Sequence, residues 1–97
     1  MKDVRKYELT LIISPKTREK ERKKIVAEIR KIVEREKGKI EKITAWGKKF
    51  FAYLIEKEKE GWYYLVWFSL APEKLPLLER ELKLEKKVLR YLIIREP

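Results

Sequence analysis

The sequence predicts an α+β protein in which two helices cover one face of a four-stranded antiparallel sheet. Two observations lead to this class. Apolar residues alternate along four segments, as in strands, and recur at every third or fourth position along two others, as in helices. The six segments follow the order βαββαβ, and 97 residues suit a single domain spanning residues 1–97.

The first strand is predicted over residues 4–13, because apolar and polar side chains alternate along VRKYELTLII. One face of this strand carries Tyr7, Leu9, Leu11 and Ile13. Ser14-Pro15 ends it, because proline has no N–H to donate to a neighbouring strand.

The first helix is predicted from Thr17 to the residue before Gly38. Its apolar positions have helical spacing, at Ile25, Val26, Ile29, Ile32 and Val33, and the positions between them are almost all charged. We expect Thr17 to be the N-cap and Gly38 to be the left-handed residue that ends the helix.

Residues 39–55 and 62–70 are predicted to be the two strands of a hairpin, and the second of them, WYYLVWFSL, is the most aromatic stretch of the chain. Gly47 is expected to mark a bulge or a bend in the first strand of this hairpin. The charged segment from Glu56 to Glu60, followed by Gly61, is expected to form a solvent-exposed turn.

Pro72 and Pro76 bracket the start of the second helix, whose apolar positions are Leu75, Leu78 and Leu82. Pro76 must lie in the first turn, since it would break the helix anywhere later. Residues 88–94, VLRYLII, give the last strand. Two βαβ halves with right-handed crossovers then form the ferredoxin-like split β-α-β arrangement.

The composition excludes most catalytic chemistry. The chain carries 26 Lys and Arg against 16 Asp and Glu, a net charge of +10, and contains no Cys, His or Asn. Without these residues there is no thiolate or imidazole to act as a nucleophile, a base or a metal ligand, and no Gly-rich phosphate loop is present. We therefore predict a cytoplasmic domain that is not an enzyme and has no cofactor, metal, membrane segment or small-molecule substrate.

The segment AWGKKFFAYLIEKEKEGWYY, from Ala45 to Tyr64, resembles the central motif of the bacterial ribosomal small-subunit protein six family. Members of this family carry Trp-Gly, basic residues, Ala-Tyr, Ile, Lys and Gly in that order. The matching residues are Trp46, Gly47, Lys48, Lys49, Ala52, Tyr53, Ile55, Lys57 and Gly61. RKYEL at 5–9, Pro15, ERELK at 79–83, Val88 and Arg90 fall in register as well, so the resemblance covers about residues 5–96.

The resemblance implies a ferredoxin-like domain that pairs with ribosomal protein eighteen and binds the central domain of small-subunit ribosomal RNA. Carried over residue by residue, the RNA-binding candidates are Arg5, Lys48, Lys49, Lys57 and Arg90, with Trp46 and Tyr53 as supporting aromatics. Two departures stand out. Leu54 replaces a frequent Pro, and the sequence ends at Pro97, where family members commonly continue into a polar tail that touches the partner protein. The second departure bears on partner binding more than on the fold.

The basic residues of the second strand allow two interpretations. Lys39, Lys42, Lys48 and Lys49 form the densest net positive patch outside the first helix. Such a patch attracts phosphates, but lysines on an edge strand also prevent sheets from aggregating. In the third strand, either Trp62, Tyr64, Val66 and Phe68 or Tyr63, Leu65 and Trp67 must lie on the open face of the sheet. Aromatics there could stack on bases, or simply form cross-strand pairs.

Asn, Gln, His and Cys are all missing, and 43% of the residues are charged. Engineered sequences and hyperthermophile proteins both show such a bias. Our leading hypothesis is an engineered, thermostable sequence on this scaffold, with no selected ligand and no partner. The alternative is a working structural ribosomal protein that binds small-subunit ribosomal RNA together with ribosomal protein eighteen.

Overall fold

The order of strands and helices is the predicted one in the computed structural model, which describes residues 3–97. The elements are β1 (Arg5–Ile13), α1 (Glu19–Arg35), β2 (Lys39–Ile55), β3 (Glu58–Leu70), a 3₁₀ turn (Pro72–Lys74), α2 (Leu75–Leu84) and β4 (Val88–Arg95). The four strands form one antiparallel sheet in the spatial order β2-β3-β1-β4, so β2 and β4 are its edges. The ferredoxin-like class is confirmed.

The hydrophobic core lies between the helices and one face of the sheet. It contains Tyr7, Leu9, Leu11, Ile13, Val66, Phe68 and Leu70 from β1 and β3, Ile25, Ile29, Ile32 and Val33 from α1, and Leu78 and Leu82 from α2. Both helices therefore pack on the same face, which leaves the other face of the sheet open. Each large apolar side chain buried in this core contributes roughly 1.5–3 kcal/mol to folding.

The start of α1 differs from the prediction by one residue, because Arg18 and not Thr17 is the N-cap. The Thr17 hydroxyl instead donates to the Ser14 carbonyl oxygen at 2.7 Å. The Glu21 carboxylate accepts a hydrogen bond from the backbone N–H of Arg18 at 2.9 Å and pairs with the Lys87 ammonium at 2.9 Å. The Arg18 N–H and then Lys87 lower the pKa of Glu21, and Glu21 in turn raises the pKa of Lys87.

At the end of α1, the left-handed residue is Lys37, with φ of 68°, and not Gly38 as the sequence predicts. The Lys37 N–H donates to the Glu34 carbonyl and the Gly38 N–H to the Val33 carbonyl, which is the Schellman pattern with Lys37 at the left-handed position. Gly38 has a different role. A Cβ at this position would collide with the Ser69 carbonyl oxygen and lie 2.8 Å from Leu70 Cδ1, so the glycine lets the chain pass close to β3.

The connection between β2 and β3 is shorter than predicted. Only Glu56 and Lys57 lie outside the strands, both with positive φ (49° and 67°), as in a type I′ turn whose twist matches that of the flanking strands. The predicted exposed turn of residues 56–60 is therefore wrong for residues 58–60, which already belong to β3. Ile55 is buried just before the turn, and Glu58 is held by Lys16 at 3.4 Å.

Strand β2 is the longest strand and the most irregular. Its register against β3 shifts between Ile40 and Lys42, between Ala45 and Gly47, and between Phe50 and Ile55. The predicted bulge at Gly47 is confirmed, because this glycine has φ of +89° and Trp46 is the extra, unpaired residue beside it.

The second helix begins as predicted. Pro76 lies in the first turn of α2, where a missing N–H breaks no intrahelical bond. Leu78 and Leu82 are buried against the core and Leu75 is half-buried. None of the helices described within residues 3–97 is long and apolar enough to cross a membrane.

Candidate nucleic-acid interface

The register of β1 against β3 decides which aromatic side chains lie on the open face. Val66 and Phe68 are in the core, so Tyr63, Leu65 and Trp67 point to the opposite face. Of the two sets that the sequence leaves possible, the structure selects the second. Leu65 is buried even there, whereas Tyr63 and Trp67 are only half-buried.

On the open face, Glu8 of β1 and Glu41 of β2 accept hydrogen bonds from uncharged donors. The Trp67 indole N–H donates to Glu8 Oε2 at 3.0 Å, and the Ser69 hydroxyl donates to Glu41 Oε2 at 3.0 Å. The Lys42 ammonium lies 5.4 Å from the centroid of the Trp67 ring, a cation–π distance. Among residues 3–97 Lys42 has no carboxylate in ion-pair contact, so its ammonium lies near an aromatic ring and not near an acid.

Three of the predicted residues lie together at and after the bulge of β2. Trp46 is the extra residue of the bulge and is 52% exposed. Lys48 and Lys49 follow on the same edge strand, opposite Trp62 and Gly61 of β3. Because side chains alternate along a strand, Lys49 points to the open face and Lys48 to the helix side.

Two further predicted residues meet across the sheet. Arg90 of β4 donates from Nη1 to the Tyr53 hydroxyl at 3.2 Å, and its guanidinium carbon lies 6.0 Å from the centre of the Tyr53 ring. Lys57 is in the turn between β2 and β3, close in sequence to Tyr53. All three side chains are exposed, and Tyr53 and Lys57 belong to the same hairpin as Trp46, Lys48 and Lys49.

Arg5 lies apart from the other six candidates. It pairs with Leu70 at the start of β1, whereas Arg90 pairs with Ile12 near the end of that strand. Seven residues of strand separate Arg5 from Ile12, which is roughly 23 Å. Arg5 has a partner of its own, the Asp3 carboxylate at 4.0 Å. Six candidates lie on the β2–β3 hairpin or contact it, and we call them the hairpin group: Trp46, Lys48, Lys49, Tyr53, Lys57 and Arg90. Lys48 points to the helix side of the sheet and Lys49 to the open face, so the group spans both faces, and Arg5 lies outside it.

The cations of the hairpin group share one electrostatic feature with most other Lys and Arg side chains that the structure describes. In the part of the chain that the structure describes, its four cations form no ion pair with a carboxylate. Six of the seven ion pairs found lie at the helices or at the start of the chain, and the seventh joins Lys16 to Glu58. Free cations beside exposed aromatic rings can bind phosphates and stack on bases.

Comparison with known proteins identifies the family of this chain. A family model described as Ribosomal protein S6 matches residues 6–95. The chain belongs to this family. Among its relatives are the small ribosomal subunit proteins bS6 of Thermoanaerobacter pseudethanolicus, 40% identical with 95% of this chain and 97% of the relative covered, and of Caldanaerobacter subterraneus, 38% identical with 95% and 97% covered.

Solved structures agree with this result. The 30S ribosomal protein S6 of Thermotoga maritima superimposes with a TM-score of 0.91 at 35% identity, covering 97% of this chain and 89% of that one. A chain in the complex of the chemotaxis kinase CheA P2 domain with the response regulator CheY has a TM-score of 0.59 at 14% identity, which shows a shared fold alone.

Membership of the S6 family decides several of the predictions. The family is structural and ribosomal, so the expectations of a non-catalytic protein and of a cytoplasmic location in the ribosome are confirmed. The comparisons do not support an engineered origin, and they favour the alternative of a natural ribosomal protein. Within residues 3–97, no group of three or more acidic side chains is arranged to hold a metal ion.

One contact near the hairpin group is absent from the sequence-based candidates. Arg22 of α1 is only 6% exposed, and its guanidinium carbon lies 3.7 Å from the centre of the Trp62 ring. The charged pattern of α1 suggests that Arg22 faces solvent. Its spacing from Ile25 and Ile29 carried the contrary signal, since residues 22, 25 and 29 share one face of a helix.

Proposed function

We propose that this protein is a structural component of the small ribosomal subunit that binds ribosomal RNA through the hairpin group, together with ribosomal protein eighteen. The support is of two kinds. The curated relatives are small ribosomal subunit proteins, and the hairpin group presents free positive charge beside exposed aromatic rings. Arg5, at the opposite end of β1, is proposed as a separate contact to RNA.

The observation that carries the proposal is that unpaired Lys48, Lys49, Lys57 and Arg90 lie on, or contact, one hairpin that also exposes two aromatic rings. Within residues 3–97 none of the four cations has a carboxylate partner, and Trp46 and Tyr53 are 52% and 63% exposed. A cation that is already paired must lose its partner before it binds a phosphate, whereas a free one only releases solvent and counterions. A plot of the logarithm of the binding constant against the logarithm of the salt concentration has a negative slope. Each phosphate that the protein neutralises adds about 0.7–0.9 to the magnitude of this slope.

The open face of the sheet also offers a surface for a protein partner. Leu92 and Ile94 of β4 are 55% and 49% exposed on the open face, beyond the hairpin group. Exposed apolar side chains on adjacent positions of one face are typical of surfaces that a protein covers. The name of the partner, ribosomal protein eighteen, rests on the family resemblance of the sequence.

The test is a titration of the protein into a fragment of the central domain of small-subunit ribosomal RNA at several salt concentrations, with and without ribosomal protein eighteen. We expect tight binding that the partner strengthens. A variant that carries Lys48→Gln and Lys49→Gln should bind more weakly and reduce the salt slope by between about 1 and 2. The matched control carries Lys24→Gln and Lys31→Gln, which remove the same charge from exposed positions of α1.

The two outcomes are distinct. Equal weakening by both double variants would mean that only net charge matters, and would overturn the assignment of the hairpin group. Weak binding that disappears with salt and does not respond to ribosomal protein eighteen would overturn the ribosomal role itself.

A further inference from the structure

Two side chains in contact near the start of α1 each carry a buried donor without an acceptor. Within residues 3–97, only Arg22 Nε and Trp62 Nε1 are buried side-chain polar atoms that lack a hydrogen-bond partner. They belong to side chains that stack on each other, with the guanidinium carbon 3.7 Å from the ring centroid. More than nine in ten buried polar groups have partners in proteins, so two orphans in one contact call for an explanation.

The charge of the cluster is uncompensated as well. Arg22 Nη1 donates to the carbonyl and the hydroxyl oxygens of Thr17, at 2.5 and 3.3 Å, and both acceptors are neutral. The Lys48 ammonium lies 5.5 Å from the centroid of the same Trp62 ring. In the described chain neither cation forms an ion pair with a carboxylate. Within the described residues, two positive charges therefore share one indole ring and neither is in ion-pair contact with a carboxylate.

A neutral water molecule could accept from the orphan donors but would not offset the charge. An anion with several acceptor oxygens would do both, and phosphate has the required number of oxygens and charge. Access is available because Lys48 is exposed and lies on an edge strand opposite Trp62, so its side chain can move to admit a ligand. We propose that Arg22, Trp62 and Lys48 form a phosphate-binding site.

The site itself does not depend on the proposed function. If the phosphate is part of an RNA backbone, that source does rest on the proposed function, and buried Arg22 then adds a contact beside the exposed lysines of the hairpin group. Free inorganic phosphate is the other source, and the experiment separates the two.

The test observes both orphan donors directly by NMR of the ¹⁵N-labelled full chain. Trp46→Phe and Trp67→Phe variants assign the Trp62 indole signal, and sodium phosphate is titrated against sodium chloride at equal ionic strength. We expect the Trp62 Nε1–H and Arg22 Nε–H signals to move and saturate with phosphate and to stay still with chloride. Arg22→Lys keeps the charge but lacks the Nε–H, and should weaken phosphate binding about ten-fold.

Lys48→Gln is the second variant, because it changes an exposed side chain and leaves the packing intact. It should weaken phosphate binding several-fold, whereas Lys24→Gln should not. Signals that do not saturate with phosphate, or that move equally with chloride, would overturn the site. Cross-peaks from both donors to one long-lived water molecule that phosphate does not displace would also overturn it.

A last arm adds the ribosomal RNA fragment. If the RNA shifts the Trp62 Nε1–H and Arg22 Nε–H signals in the same direction as inorganic phosphate does, the bound phosphate belongs to the RNA backbone. Movement with inorganic phosphate alone, in a protein that still binds the RNA, supports the site and assigns it to free phosphate. Failure of the site is therefore distinguishable from failure of RNA binding, which the titration at several salt concentrations measures independently.

Discussion

Arg90 and Tyr53 join the two edges of the sheet. The guanidinium of Arg90 on β4 donates to the hydroxyl of Tyr53 on β2 at 3.2 Å, although β3 and β1 separate these strands in the sheet. The contact shows that the end of the β2–β3 hairpin bends across the sheet. Gly61 permits this bend, because a Cβ there would lie 2.9 Å from both Ile12 Cγ2 and Phe51 Cζ.

The Tyr53–Arg90 contact should contribute little to stability. Both side chains are exposed, and water competes for exposed hydrogen bonds and charges. A double-mutant cycle of Tyr53→Phe and Arg90→Gln, measured by urea denaturation, should give a coupling energy below about 1 kcal/mol. A coupling of several kcal/mol would show that the contact holds the hairpin in place and is not merely part of a binding surface.

Gly38 and Gly47 should respond differently to alanine. Gly38→Ala places a Cβ against the Ser69 backbone carbonyl, which cannot move aside easily, so we expect a loss of about 2 kcal/mol or more. Gly47→Ala meets no atom within 4 Å but must hold φ at +89°, so we expect a loss of about 1 kcal/mol. Urea denaturation of the two variants checks the order, and a larger loss at Gly47 would contradict the packing described for Gly38.

Lys37→Gly should stabilise the protein, which is unusual for a glycine substitution. Lys37 has φ of 68° at the left-handed position after α1, where glycine carries no Cβ penalty, so we expect a gain of about 0.5–1 kcal/mol. The control is Lys31→Gly at an exposed position inside α1, which should lose about 1 kcal/mol. Thermal unfolding of both variants should therefore show opposite signs, and a loss in both would contradict the assigned C-cap.

Glu21 should make stability fall in acid. Its pKa is lowered in the folded protein by the Arg18 N–H and by Lys87, so the unfolded chain takes up the proton first as the pH falls. The stabilisation is therefore complete above the ordinary carboxyl pKa and is lost as the pH falls through the lowered pKa of the folded state.

The measurement for Glu21 compares Glu21→Gln with the parent protein by urea denaturation from pH 7 down to about pH 3. Glutamine still accepts from the Arg18 N–H but loses the charge that pairs with Lys87. The variant should be less stable at pH 7, and the difference should shrink in acid. Glu28→Gln is the control, since within residues 3–97 Glu28 forms neither an ion pair nor a side-chain hydrogen bond. A difference for Glu21→Gln that stays constant with pH would contradict the pairing.

Periodicity was sufficient to predict the fold. The alternation of Leu9, Leu11 and Ile13 and the helical spacing of Ile25, Ile29 and Ile32 follow directly from which face is buried. The errors are confined to the ends of elements. Whether Thr17 or Arg18 caps α1, and whether Lys37 or Gly38 is left-handed, depends on individual hydrogen bonds that composition does not determine.

The hairpin group was only partly predictable. The resemblance supplied its residues, but the contact between Tyr53 and Arg90 depends on the bend of the hairpin, and Arg5 shows that candidates from one family resemblance need not share a surface. Arg22 illustrates the opposite problem. Its sequence context is that of one more surface charge, because the many Lys, Arg and Glu residues around it give no sign that this cation is buried against an aromatic ring.

The three register shifts in β2 have a consequence for behaviour at high concentration. Between the extra residues Glu41 and Trp46, only Lys42, Ile43, Thr44 and Ala45 continue in an uninterrupted ladder. A strand of another molecule that paired with the free edge of β2 could form regular backbone hydrogen bonds for only about four residues before the register was lost. The longest strand of the protein is thus a poor template for fibre growth, and crowded solutions of it should remain clear.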